Sequence, residues 1–205
     1  GIIFRRDIQR ETGYDERKIR IRWGGARIPD RYRWAEWRGT VSITNGTINA
    51  FAGGGFEHPE ESCWRAGPTR IAFRTDTYGD ADSMVVDVSN LAHSRIRIHG
   101  RIDSYVKVGD PTAGNPFVHC PTFEWEVSGA ELLASEGRLR MELGGCELFL
   151  AIERIASAPT PRDVSGTLEV KPGNGPHGFR PVYFYGRQTD DAKVWTSAMF
   201  IEFKK

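Results

Sequence analysis

Apolar and polar residues alternate one by one through run after run of this chain. Ile19, Ile21 and Trp23 alternate with Lys18, Arg20 and Arg22. Val41 and Ile43 alternate with Thr40, Ser42 and Thr44, and Met84, Val86 and Val88 form a similar set. The same spacing returns in Ile71, Phe73 and Thr75, in Ile96, Ile98 and Ile102, in Phe123, Trp125 and Val127, and in Leu139, Met141 and Leu143. It also runs through Cys146, Leu148, Leu150 and Ile152. A period of two sends successive side chains to opposite faces of a strand. Each run therefore buries one face and wets the other, as strands of an antiparallel sheet do. No window sustains a 3.6-residue period, and residues 131–134 offer a single helical turn. The chain holds 23 glycines and 11 prolines, which break it at short intervals and keep the strands short. The expected fold is all-β: an antiparallel β-sandwich, jelly-roll-like or Ig-like, with many short strands and little helix.

Turns refine this layout. Asn45-Gly46 predicts a two-residue hairpin, because a type I′ turn needs positive φ at both central residues. Residues 47–51 are then the returning strand. A short run ends at Val170, and residues 182–186 and 194–203 make a last hairpin around Asp190-Asp191. The long loops at 52–68, 107–116 and 171–180 are where binding residues tend to sit.

With 205 residues, the chain can bury a sizeable core, and we read it as one sandwich domain, 1–205. It does not begin with Met, which suggests a C-terminal fragment or a processed product of a longer protein. No apolar run is long enough to span a bilayer, so a soluble protein is expected. Cys63, Cys120 and Cys146 have no CxxC spacing, which excludes a Cys-rich zinc site and a disulfide scaffold; one Cys120–Cys146 bridge stays open.

Residues 20–39 mix cations with rings. Six arginines against Asp30 and Glu36 make this stretch +4, so the remainder of a chain of net charge +1 carries −3. A nucleic-acid binder is usually basic over its whole domain, so nucleic acid is not the expected partner. Alternation also separates most rings from most guanidinium groups. Tyr32 and Trp34 share a face, and Trp37 is out of phase with them. That predicts a bulge before Gly39 and leaves Trp37, with Arg38 beside it, as an exposed contact. The ligand-binding candidates are Trp37, Arg38, His58 and Trp64.

Catalytic motifs are sparse. The sequence has no GxSxG, GxxxxGK, GxGxxG, HxH or HExxH. His119 and Cys120 are neighbours in sequence, and in a strand they would face opposite ways. His99 sits on a polar strand face. Glu124 and Glu126 share another polar face about 7 Å apart, inside the range for an inverting glycosidase pair. Asp76, Asp80 and Asp82, in DTYGDAD, are the metal candidates. Carboxylates gathered in a turn offer hard oxygen ligands to a structural Ca²⁺, although this spacing is not that of an EF-hand; the alternative is a polar turn around Gly79. His58 with Glu60 and Glu61 is a second acidic cluster.

The segment IRWGGARIPDRYRWAEWRGTVSITNGTI, 21–48, resembles an arginine-rich stretch leading to W-x-G and a short hairpin. That pattern occurs in bacterial proteins carrying a PHP-like (polymerase and histidinol phosphatase type) metallohydrolase domain. RPVYFYGRQTDDAKVWTSAMFIEF, 180–203, resembles their ending, with Arg187, Gln188, Asp190, Trp195, Thr196 and Ser197 at the matching places. FRTDTYGDADSMVVDV and AIERI resemble their intermediate stretches. The resemblance implies that the metal-binding histidines lie in an upstream domain, and that this chain is the non-catalytic C-terminal β domain.

Three functions follow as expectations. The first is a non-catalytic accessory β-sandwich that packs on an upstream catalytic domain or binds a protein partner. Such a domain should carry an apolar patch. The second is a carbohydrate-binding module with aromatic stacking and a structural Ca²⁺. The third is a β-sandwich hydrolase or lyase using Glu124, Glu126 or His99, which would need a cleft of convergent titratable groups.

Overall fold

A computed structural model describes residues 7–25, 34–105, 122–143, 147–159, 163, 165–171, 179–188 and 192–203. The chain divides into two compact units, one over Asp7–Thr160 and one holding the C-terminal segment from Pro161. Each is described by itself.

The larger unit is an all-β sandwich of two five-stranded antiparallel sheets. Its strands are β1 (Tyr14–Gly24), β2 (Ala35–Thr44), β3 (Thr47–Gly54), β4 (Ser62–Gly67), β5 (Arg70–Thr77), β6 (Ala81–Ser89), β7 (Arg95–Tyr105), β8 (Thr122–Ser128), β9 (Arg138–Glu142) and β10 (Phe149–Ala156). One sheet has the order β3-β6-β1-β10-β9 and the other β4-β5-β2-β7-β8. The described residues of this unit also hold two short α-helices, α1 (Ile8–Thr12) and α2 (Gly129–Ala134), and a 3₁₀ turn at Leu91–His93. The helical turn expected at 131–134 is α2, started by the Ser128 hydroxyl accepting from the Glu131 N–H at 3.1 Å. Asp7 caps α1 through the Arg10 N–H in the same way, an element that alternation could not reveal.

The apolar sets meet between the sheets. Ile19, Ile21, Val41, Ile43, Met84 and Val86 are fully buried. Trp23 of β1 stacks on Phe73 of β5, with ring centroids 4.2 Å apart, and so ties the two sheets together. Its indole N–H donates to the Thr75 hydroxyl at 2.7 Å, and the Trp37 indole N–H donates to the Thr77 hydroxyl at 2.8 Å. Core-facing threonines two apart on β5 thus satisfy both buried indoles, which would otherwise carry a desolvation penalty.

Two local expectations are corrected. Asn45-Gly46 does not close a hairpin, because β2 and β3 lie in different sheets. Asn45 alone takes positive φ, at 58°, so the turn is a corner from one sheet to the other and not type I′. Gly46 is needed for space: a Cβ there would stand 2.7 Å from the Ser89 carbonyl oxygen. The second correction is Trp37. It is fully buried, and its ring lies 5.9 Å from that of Phe123. The bulge exists, as a slip between Ala35 and Trp37 in the ladder with β7. The phase of β2 is set by Val41 and Ile43, and counting back from them turns Trp37 inward.

In the C-terminal unit, β11 (Phe179–Val182) pairs with β14 (Met199–Glu202), and β12 (Tyr185–Arg187) pairs with β13 (Lys193–Trp195). Together they form the expected last hairpin, whose turn at Asp190-Asp191 lies outside the described residues. Residues 165–171 are not a strand, so the run ending at Val170 forms no sheet. Cys120, Cys146, His119 and Tyr32 also lie outside the described residues, and Cys63 is a free thiol.

Candidate functional site

Alternation on the β4-β5-β2-β7-β8 sheet leaves a polar outer face, and strand register arranges it in rows. Ser62, Arg74, Arg38, Arg101 and Thr122 stand in register across the five strands. The next row is Trp64, Ala72, Thr40, His99 and Glu124. Between Trp64 and His99 that row holds only the small side chains of Ala72 and Thr40. The result is a shallow groove of about 430 Å³, walled by Arg74, Arg38 and Arg101, with Trp64 and His99 among its lining. Its floor includes the backbone of Gly39 and Gly100, which face each other in register. A Cβ on Gly39 would stand 2.6 Å from Phe73 Cζ, and one on Gly100 would stand 2.6 Å from Phe123 Cζ. Core rings therefore support the floor from beneath, and only glycine fits above them.

Glu36 organises the arginines. It is 7% exposed. Its Oε1 accepts from Arg38 Nε at 2.8 Å, from Arg38 Nη2 at 2.5 Å and from Arg74 Nε at 2.9 Å. Burial by itself would raise the Glu36 pKa, but the hydrogen bonds and charges of Arg38 and Arg74 outweigh it and hold the carboxylate below its ordinary range. Both arginine side chains stay nearly half exposed, at 43% and 49%. Arg101 on β7 stands in register with Arg38.

Of the ligand candidates named from the sequence, Arg38 and Trp64 come together in this groove. Trp37 does not, being buried, and His58 lies elsewhere. The His58 ring meets Tyr78 edge-on at 5.5 Å. The acidic cluster beside it is structural: Glu61, 8% exposed, accepts from the backbone N–H groups of Glu57, His58 and Asp76 at 2.5, 2.8 and 2.7 Å. It pins the loop before β4 to β5. Arg74, Arg101 and Thr40 escaped the sequence reading. Each sits on a predicted polar face, but only register shows that those faces adjoin.

Asp76, Asp80 and Asp82 are not gathered into a cation site. Among the described residues no group of three or more His, Cys, Asp or Glu could hold a metal ion. Asp80 accepts from the Tyr78 N–H at 2.6 Å, which is the polar-turn alternative. Asp76 lies beside Glu36 in the register, and burial, then the Glu36 and Glu61 charges, push its pKa up. Asp82 faces the core from the start of β6. It is fully buried, and burial pushes its pKa up to about 7.

Glu124 and Glu126 do not converge on a cleft either. Glu124 pairs with Arg97 at 2.5 Å and Glu126 with Arg95 at 2.8 Å, and all four side chains are well exposed. On the outer face of the other sheet, Glu153 takes Arg22 at 3.2 Å and Arg138 at 3.3 Å. Arg22 does point away from the core as expected, yet it is only 6% exposed.

The C-terminal unit presents a different surface. Tyr183, Phe184, Tyr185, Trp195, Met199 and Phe200 are each at least half exposed. The rings of Tyr185 and Trp195, paired in register, lie 5.4 Å apart.

Compared with known proteins, the chain matches no family model, no curated protein and no solved structure. The class that the fold defines is the all-β sandwich. No helix among the described residues is long and apolar enough to cross a membrane.

Proposed function

We infer that this chain is a non-catalytic accessory β-sandwich that works by binding, with its C-terminal strands as the contact to a protein partner. The observation that carries this reading is the cluster of large side chains exposed between Tyr183 and Phe200. Apolar surface of that kind marks protein contacts when it is contiguous. The resemblance to the β region of PHP-like proteins supplies the partner: an upstream metallohydrolase domain. The test has two parts. The full-length protein should carry an HxH-bearing domain before Gly1. The separately produced domain should bind this chain, and Trp195→Ser with Phe200→Ser should weaken that binding while leaving the melting temperature of the sandwich unchanged. An upstream region without such a domain ends the metallohydrolase assignment. A melting temperature lowered by the double substitution would mean that these rings serve the chain's own fold.

A second reading, sugar binding, is favoured by the groove. Trp64 is 48% exposed and stands beside low-relief positions, with Thr40, His99 and Thr122 at hand to meet hydroxyl groups. A flat ring flanked by hydrogen-bonding side chains is the arrangement a pyranose needs.

A further inference from the structure

The connection from β3 to β4 passes from one sheet to the other, and both strands are outermost in their sheets. The β3 ladder with β6 stops at Gly54 opposite Ser83, and the β4 ladder with β5 starts at Ser62 opposite Arg74. Continuing each ladder by one residue sets Gly55 against Asp82 and Glu61 against Thr75. The contacts agree. A Cβ on Gly55 would stand 3.0 Å from Asp82 Oδ1, and Glu61 Oε1 accepts from the N–H of Asp76, next to Thr75, at 2.7 Å. Asp82 and Thr75 are both buried. Beyond the ends of β3 and β4, residues 55–61 take the place of a strand as their cover.

This strap has a hinge and latches. Gly53-Gly54-Gly55 leads into it, and Gly55 holds φ at 93°, a conformation that glycine adopts without penalty. Phe56 folds back over Gly53 and packs against the core. Glu61 accepts from the N–H groups of Glu57 and His58 at 2.5 and 2.8 Å, and the His58 ring meets Tyr78 of the β5–β6 turn. Such latches are few, so opening them costs less than unfolding the sheets.

The trigger lies beneath. Burial pushes the Asp82 pKa up to about 7; Glu61, Asp80 and Glu57 add to the rise, and the Thr75 hydroxyl opposes it. From β1, Asp82 meets the uncharged Trp23, in register with it, while Arg22 is turned to the outer face and held by Glu153. On β5, Arg74 and Asp76 alternate away from inward Thr75. β3 carries no ionisable side chain. The strap supplies Glu57, His58, Glu60 and Glu61, and the β5–β6 turn supplies Tyr78 and Asp80. Ionisation therefore places a negative charge in a dry site among acids, and water admitted by an open strap would relieve it.

We propose that residues 55–61 form a pH-sensitive strap, closed on Asp82 while that carboxyl holds its proton and shifted toward an open state when the proton is lost to solvent. Opening hydrates the carboxylate and uncovers the end of the core at Thr75 and Trp23. In the open state Asp82 returns toward its ordinary 3.8. Opening thus becomes easier as pH rises from there to about 7, and levels off above.

The test is hydrogen–deuterium exchange with mass spectrometry on the whole chain from pH 5 to pH 8, with rates corrected for the intrinsic pH dependence of amide exchange. In the parent, protection of the 55–61 peptide should fall about tenfold or more over that range, while peptides from β2 and β7 keep theirs. In Asp82→Asn the strap should stay protected throughout. His58→Gln removes the strap's own imidazole and should keep the parent's pH dependence. A fall that persists in Asp82→Asn, or disappears in His58→Gln, would overturn the proposal. Two results in the parent alone would also overturn it, however well the variants fold. One is equal loss of protection in the strap, β2 and β7, which means global unfolding. The other is strap protection that does not change with pH.

Discussion

Asp82→Asn should stabilise this protein, and increasingly so as pH rises. The Asp82 carboxyl is fully buried on the core face of β6, in register with Trp23. Burial raises its pKa to about 7; the charges of Glu61, Asp80 and Glu57 add to the rise, and the neighbouring Thr75 hydroxyl opposes it. In the unfolded chain the group titrates near 3.8. Between those values the folded state holds a proton that the unfolded state has released, so stability falls as pH rises through this window. At about 1.4 kcal/mol for each factor of ten, the full loss approaches about 4 kcal/mol above the folded pKa. That is a large share of the ~5–15 kcal/mol that holds an ordinary domain together.

Asparagine keeps the shape and cannot ionise. In urea melts, the stability gap between Asp82→Asn and the parent should widen by about 3 kcal/mol from pH 4.5 to pH 8.5. Other groups titrate alike in both proteins and cancel in the difference. A gap that stays constant with pH, or a variant less stable at pH 8.5, would refute the reasoning. Either result would mean that the charged carboxylate is compensated inside the fold.

Three further substitutions probe the same framework by thermal and urea melts. Phe73→Ala removes the ring stacked on Trp23 and one support of the groove floor, and should cost about 3–5 kcal/mol; a loss under about 1 kcal/mol would contradict the stacking. Thr77→Val leaves the Trp37 indole N–H without its acceptor in a dry core, and should cost about 1–3 kcal/mol, whereas an unchanged melt would show that the hydrogen bond contributes nothing net. Glu61→Ala frees three backbone N–H groups, so proteolysis should begin in the loop between β3 and β4 while the sandwich core stays intact; a cleavage pattern like the parent's would count against the clasp.

The sequence by itself determined which side chains of a strand look inward. Ile19, Ile21 and Trp23, Met84 and Val86, and Ile96 and Ile98 are all fully buried where alternation placed them. Arg38, Arg74, His99 and Arg101 lie outward for the same reason. Period-two geometry is local, so a short window suffices to read it. Trp37 shows where that window fails. Its phase was counted from Tyr32 and Trp34, but the strand begins at Ala35 and takes its phase from Val41 and Ile43.

Partnership between strands was decided only by the tertiary structure. Asn45-Gly46 looked like a hairpin because its local turn chemistry suits one, yet packing sends β3 into the opposite sheet. The groove was hidden in the same way. Trp64, Arg74, Arg38 and Arg101 are spread over 64 positions of sequence, from 38 to 101, and each alone is an ordinary polar-face residue. They become a wall and a platform because β4, β5, β2 and β7 align in one register. Register is chosen by how the buried faces of all the strands fit at once, and that information is not held in any one stretch of chain.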